Sequence, residues 1–211
     1  MLASMAMIFA SYAPCGAQTA QSGAETQFGI KGGVNFSHLY TEDAEDSKGL
    51  AGFHAGLFAK VPLASMLAFQ PEIYFTTKGS EVTYDNAFVN GIARYKLNYI
   101  EVPLLLAINI TDNFNIHAGP YVAYLLSGKT TNESNVTLFD FEENLDVNDY
   151  NRIDAGLAAG AGLDFKSVSF GARYNYGLTT VGKERTFLGT TYTFPDAVNG
   201  VLTFYMAVPL N

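Results

Sequence analysis

Leu67-Ala68-Phe69-Gln70-Pro71-Glu72-Ile73-Tyr74-Phe75-Thr76-Thr77-Lys78 is the stretch that decides the fold. Leu67, Phe69, Ile73 and Phe75 share one parity, while Gln70, Glu72, Tyr74, Thr76 and Lys78 share the other. A period of two is the strand period, with one face apolar and the other polar. Its length suits the roughly 9–11 residues of a tilted strand that crosses a bilayer.

The same alternation recurs on both sides of this segment. It is read over 27–37, 51–60, 100–108, 114–126, 152–165, 168–178 and 198–210. Phe28, Ile30, Val34 and Phe36 oppose Lys31, Asn35 and Ser37, and Ile100, Val102, Leu104, Leu106 and Ile108 oppose Glu101 and Pro103. Ile153, Ala155 and Leu157 oppose Asp154, and Phe170, Ala172, Tyr174 and Tyr176 oppose Arg173 and Asn175. Arg94, Lys96 and Asn98 break the pattern by sharing parity with Ile100. A bulge near Asn98–Tyr99, or a strand that has left the lipid by that point, accounts for them. Connections over 61–65, 111–113 and 166–167 are short. Those over 40–49, 79–91, 128–149 and 182–195 are long, and the two sets alternate along the chain. Tight turns at one end and long loops at the other are the habit of meander barrels in outer membranes. The fold expected is all-β, an eight-stranded antiparallel up-and-down transmembrane barrel.

Parity alone does not say which face looks outward, and a soluble barrel or sandwich alternates as well. Three features favour lipid outside. The polar face is narrow and rich in Gly, too small for a soluble exterior. The apolar face is almost free of charge. Aromatics (Phe28, Phe36, Tyr95, Tyr99, Phe114, Tyr124, Phe165, Tyr174, Tyr176) cluster near strand ends, as interfacial girdles do. The 211 residues are 48% hydrophobic but only 15% charged, with 20 Gly and a formal charge of −8. That acidity argues against general nucleic-acid binding, which relies on Lys and Arg. After residue 17 no run of about 18 apolar residues occurs, so no membrane-spanning helix is expected.

Residues 1–24 hold no Asp, Glu, Lys or Arg, and Met1 to Ala13 has the length of a signal-peptide core. Residues 1–17 are expected to be a signal peptide whose basic start lies upstream, 18–26 a periplasmic segment, and 27–211 the barrel. Removal of Cys15 with the signal leaves no thiol, which suits an oxidising compartment.

Phe28-Gly29-Ile30-Lys31-Gly32-Gly33-Val34-Asn35-Phe36-Ser37, Phe69-Gln70-Pro71-Glu72-Ile73-Tyr74-Phe75, Tyr99-Ile100-Glu101-Val102-Pro103-Leu104-Leu105, Ala118-Gly119-Pro120-Tyr121 and Arg173-Tyr174-Asn175-Tyr176-Gly177-Leu178 occur in this order. Together they resemble the PorT-like outer-membrane β-barrel family of Bacteroidetes. The resemblance covers essentially all of the chain that follows the expected signal peptide. It implies a small outer-membrane barrel of a Gram-negative bacterium, and implies little about activity.

Two sets of residues are candidates for chemistry. Lys31, His54, Glu72, Glu101, His117, Asp154 and Arg173 all fall on the inward parity. Charges in a small lumen must pair, and Arg173, joined by Lys31, is the expected partner of Glu72 and Glu101. This set is read as an ion-pair plug, because an eight-stranded barrel is just filled by side chains. The second set lies in the long connections: Glu42, Asp43, Glu45 and Asp46, then Glu133, Asp140, Glu142, Glu143, Asp146 and Asp149, ten of the 20 acids. Clustered carboxylates suit Ca²⁺ or a protein partner, but 146–151 lacks the Gly of a calcium loop. Leu138, Phe139, Phe141 and Leu145 interleave with them, as a partner surface or a strand above the lipid would. Nucleophile motifs are absent and His38, His54 and His117 lack zinc spacing. No enzyme, cofactor, metal or small-molecule substrate is expected. The partners expected are outer-membrane lipid and a protein met through the loops. A narrow ion or solute channel and a soluble barrel with an apolar ligand are the alternatives, followed by a lipid-modifying enzyme at the rim.

Overall fold

The computed structural model describes residues 25–40, 47–85, 90–134, 141–145, 150–187, 190–194 and 197–211. Its strands are β1 (Gln27–Tyr40), β2 (Ser47–Pro62), β3 (Leu67–Asp85), β4 (Asn90–Thr111), β5 (Phe114–Ser134), β6 (Phe141–Leu145), β7 (Ile153–Asp164), β8 (Ser169–Thr180), β9 (Lys183–Phe187), β10 (Thr190–Phe194) and β11 (Val198–Pro209). The order β4-β3-β2-β1-β11-β8-β7-β5, closed by β4–β5, makes an antiparallel ring of eight strands. Ile30 opposite Val208 and Phe36 opposite Leu202 seal the first strand to the last. Closure leaves no edge in the ring, so the first and last strands pair with each other rather than expose their ladder groups to hydrocarbon. No helix among the described residues is long and apolar enough to cross a membrane.

The turn after β2 closes through Leu63 and Ala64 donating to the Leu67 carbonyl at 2.8 and 3.0 Å. At the other end the expected long loops are mostly strand. β3 runs on to Asp85 and β4 starts at Asn90, so only 86–89 intervene where 79–91 was expected to be loop. β6 pairs with Gly128–Asn132 of β5, and β9 and β10 form a separate hairpin. Above the membrane the outward face has no need to be apolar, so alternation fades while pairing continues. Leu97, Tyr99 and Glu101 all point inward, and Lys96 is exposed. β4 keeps its parity and simply rises out of the apolar band. The register shift does fall opposite Asn98–Tyr99, but the extra residue is Leu126 of β5. It leaves both Leu126 and Ser127 exposed on the outside.

The apolar face looks outward. Phe28, Leu57, Leu157 and Leu178 are 57%, 56%, 56% and 63% exposed, while Glu101 and Arg173 are 0% and 2% exposed. Of the aromatics expected in the girdle, Phe28, Phe36, Phe114, Tyr124, Phe165 and Tyr176 are exposed, but Tyr99 is buried in the lumen. Tyr95 faces Ser80 and Thr130, both buried, and shares their inward parity. Inward positions of β1, β7 and β8 are repeatedly Gly. A Cβ on Gly171 would lie 2.4 Å from the Tyr205 ring, so Gly here makes room for a large side chain of β11.

Candidate functional site

All seven residues expected in the interior are there and buried. They form two charged groups stacked along the barrel. In the group nearer the short turns, Arg173 of β8 grips Glu72 of β3 with both guanidinium arms, Nη1 to Oε2 and Nη2 to Oε1, each at 2.8 Å. The Lys31 ammonium donates to Glu72 Oε1 at 2.7 Å and lies 3.7 Å over the Tyr205 ring. Gln70 donates to the same oxygen at 2.7 Å. A bidentate grip with added donors is the strong form of a buried ion pair.

The second group corrects the expected pairing. Glu101 pairs with Lys78, not Arg173. The Lys78 ammonium sits 2.7 Å from Glu101 Oε2 and 2.8 Å from Asp154 Oδ2, reaching from β3 to β4 and β7. Tyr74 and Asn175 donate to Glu101 Oε1 at 2.7 and 2.6 Å. Tyr121 and Asn199 donate to Asp154 at 3.2 and 2.9 Å. The Tyr121 and Tyr99 rings flank the ammonium at 4.6 and 5.2 Å.

The formal charges complement each other. Lys31 and Arg173 against Glu72 leave one excess positive charge. Lys78 against Glu101 and Asp154 leaves one excess negative charge, so the six groups sum to zero. Adjacent inward positions link the groups: Glu72 with Tyr74 on β3, and Arg173 with Asn175 on β8. Sequence reasoning placed Lys78 on the polar face but left it out of the interior set. Its parity with Glu72 was the signal available.

The two histidines are satisfied parts of the same packing. His117 Nε2 accepts from Arg173 Nε at 3.4 Å and its Nδ1 lies 3.0 Å from Asn115 Oδ1, an arrangement that puts the ring proton on Nδ1. His54 Nδ1 lies 2.9 Å from Asn35 Oδ1, and Asn35 donates in turn to Thr76 at 2.8 Å. No three His, Cys, Asp or Glu converge as a metal site among the described residues.

At the short-turn end a cavity of about 910 Å³ opens between Lys60, Asn109 and Asp164, where Lys60 and Asp164 pair at 2.8 Å. A space of about 30 Å³, one water's worth, continues inward to Lys31, Gln70 and Tyr205. Around the second charged group Leu97, Tyr99, Tyr121, Leu125 and Val181 belong to one buried apolar cluster. The acidic set is less placed. Glu42, Asp43, Glu45, Asp46, Asp140, Asp146 and Asp149 lie outside the described residues, as does the expected signal peptide. Glu142 and Glu143 belong to β6, and Glu143 is exposed. Phe141 and Leu145 also fall on β6, a strand that extends the sheet beyond the ring.

A family model described as outer membrane protein beta-barrel domain matches residues 17–182, well over half of the chain. No curated protein matches. Among solved structures the chain resembles Ail, the attachment invasion locus protein of Yersinia pestis. The two are 16% identical, with 89% of this chain and 100% of Ail covered and a TM-score of 0.48. It also resembles Neisserial surface protein A at 14% identity, covering 88% and 99% with a TM-score of 0.47. The outer membrane protease OmpT from Escherichia coli is similar at 8% identity, covering 92% and 99% with a TM-score of 0.39.

Proposed function

Because this chain belongs to the outer membrane protein beta-barrel domain family, we propose that it is a closed, non-conducting barrel whose task is to hold its tall external strands and acidic loops out to a partner. The observation that carries this reading is the filled lumen. Two neutralising ion-pair groups lie in it, and a buried apolar cluster packs around the second. A plug of paired charges holds the strands at fixed heights and leaves the ring's external edge as the variable surface. Our finer assignment, to the PorT-like barrels, rests on the quoted strand motifs. Export by an N-terminal signal peptide and a structural, adhesive or accessory role without catalysis belong to the same proposal. Planar-bilayer recording tests it. The refolded chain should add no steps above baseline at neutral pH. Steady unitary steps would replace this reading with that of a narrow channel.

A further inference from the structure

The charged group nearer the short turns holds two cations on one carboxylate. Glu72 Oε1 accepts from Lys31 Nζ, Gln70 Nε2 and Arg173 Nη2 at 2.7, 2.7 and 2.8 Å. Oε2 accepts from Arg173 Nη1 at 2.8 Å. These bonds fill the roughly four acceptor sites of a carboxylate. An ammonium, by contrast, has three N–H donors. One from Lys31 goes to Glu72, and the Tyr205 ring faces the ammonium at 3.7 Å. Among the described residues no second acceptor reaches Lys31, although it is only 4% exposed.

Lys31 lines the narrow neck of about 30 Å³ that leads in from the short-turn cavity, together with Lys60, Gln70, Asn115, Asp164 and Tyr205. Five charged groups surround this neck. Lys31, Lys60 and Arg173 carry three positive charges, Glu72 and Asp164 two negative ones, so one positive charge is left over. His117 accepts from Arg173 as a neutral ring and adds none. The opposite excess sits one tier away, around Lys78. Glu25, Asp112 and Lys166 line only the wide cavity outside. An unshared buried charge is costly until a counter-charge meets it. We infer that the neck is a binding site for one small monovalent anion of the halide class, held by the Lys31 ammonium and entering from the short-turn mouth. The dimensions select that class. The neck takes a particle near the size of one water, so a bare halide enters where a sugar acid stays in the outer cavity of about 910 Å³. Charge-assisted hydrogen bonds from an ammonium to an anion are the short, strong kind. Arg173 and Glu72 close the lumen beyond, so the ion is resident and not in transit. The inference adds a ligand to the lumen and stands apart from the partner role of the external strands.

Crystals of the refolded chain soaked in sodium bromide test the position. Anomalous scattering should show one bromide beside Lys31 Nζ, and a map with no bromide in the neck would overturn the inference. Urea unfolding in lipid vesicles tests binding in solution, with chloride titrated against gluconate at constant ionic strength. A ligand that binds only the folded chain stabilises it by mass action, so above Kd each tenfold rise in chloride should lower the unfolding constant about tenfold. Lys31→Gln should abolish this response, which separates it from general salt effects. If Lys31→Gln fails to assemble, Ala207→Leu serves instead, because it narrows the neck and leaves every charge in place. It too should abolish the response. Lys166→Gln, in the outer turn, should respond as the parent does. A parent that unfolds alike in chloride and gluconate holds an adventitious ion only, which would overturn the inference. A chloride response that survives Lys31→Gln or Ala207→Leu, or is lost in Lys166→Gln, would place the ion elsewhere and overturn it as well.

Discussion

Lys78 is the residue on which the upper half of the lumen turns. It alone stands between the Glu101 and Asp154 carboxylates, all three with side chains at most 4% exposed. Lys31 differs, because Arg173 still grips Glu72 when Lys31 is removed. Removing one partner from a buried pair leaves an uncompensated charge, which costs more than the pair itself contributes. Lys78→Gln should therefore lower stability by about 3–5 kcal/mol, and Lys31→Gln by the smaller cost of a charged hydrogen bond, about 1.5–3 kcal/mol. Urea unfolding of each variant in lipid vesicles measures both. Restoration of stability by adding Asp154→Asn to Lys78→Gln would identify the stranded carboxylate as the cause, and an equal loss at Lys31 and Lys78 would contradict the arrangement. The candidate set was legible in part. Parity assigns a side chain to the inside of the barrel, so Lys31, Glu72, Glu101, Asp154 and Arg173 could all be placed there. Parity does not give height or angle around the ring. The assignment of Glu101 to Arg173 failed on that point, since the partner that reaches it rises from β3.

At the scale of the element, the lumen is asymmetric in side-chain size. β3, β4, β5 and β11 send long side chains inward, including Tyr74, Tyr99, Tyr121 and Tyr205. β7 and β8 answer with Gly. Tyr205 lies across two of these, since a Cβ on Gly162 or Gly171 would meet its hydroxyl at 2.9 and 2.4 Å. The Lys31 ammonium rests on that same ring. Gly171→Val should push Tyr205 aside and overpack the lower group, costing about 1–3 kcal/mol. The check is heat-modifiable migration on electrophoresis, where the variant should unfold at lower temperature than the parent. An unchanged transition would mean that Tyr205 has another place to go. The strands themselves were readable over their membrane-crossing lengths, because lipid outside and charge inside enforce a period of two. Their extensions were not readable. Beyond the lipid both faces tolerate polar residues, so Gly79–Asp85 and Asn90–Asn98 carry no alternation though they pair residue for residue.

At the scale of the molecule, the ring is level at the short-turn end and uneven at the other, where β3, β4 and β5 rise well past β7, β8 and β11. Water has room to enter from the level end as far as Lys31, and meets the first charged group there. All of this depends on which face of the strands meets lipid, and the absence of Trp in the chain makes that directly measurable. Phe204 and Tyr205 are neighbours on β11 at nearly one depth, the first 46% and the second 8% exposed. A single Trp placed at either position, in vesicles of lipid brominated along the acyl chain, reports face alone. The account predicts strong quenching for Phe204→Trp and protection for Tyr205→Trp. Quenching of Tyr205→Trp with protection of Phe204→Trp would contradict it.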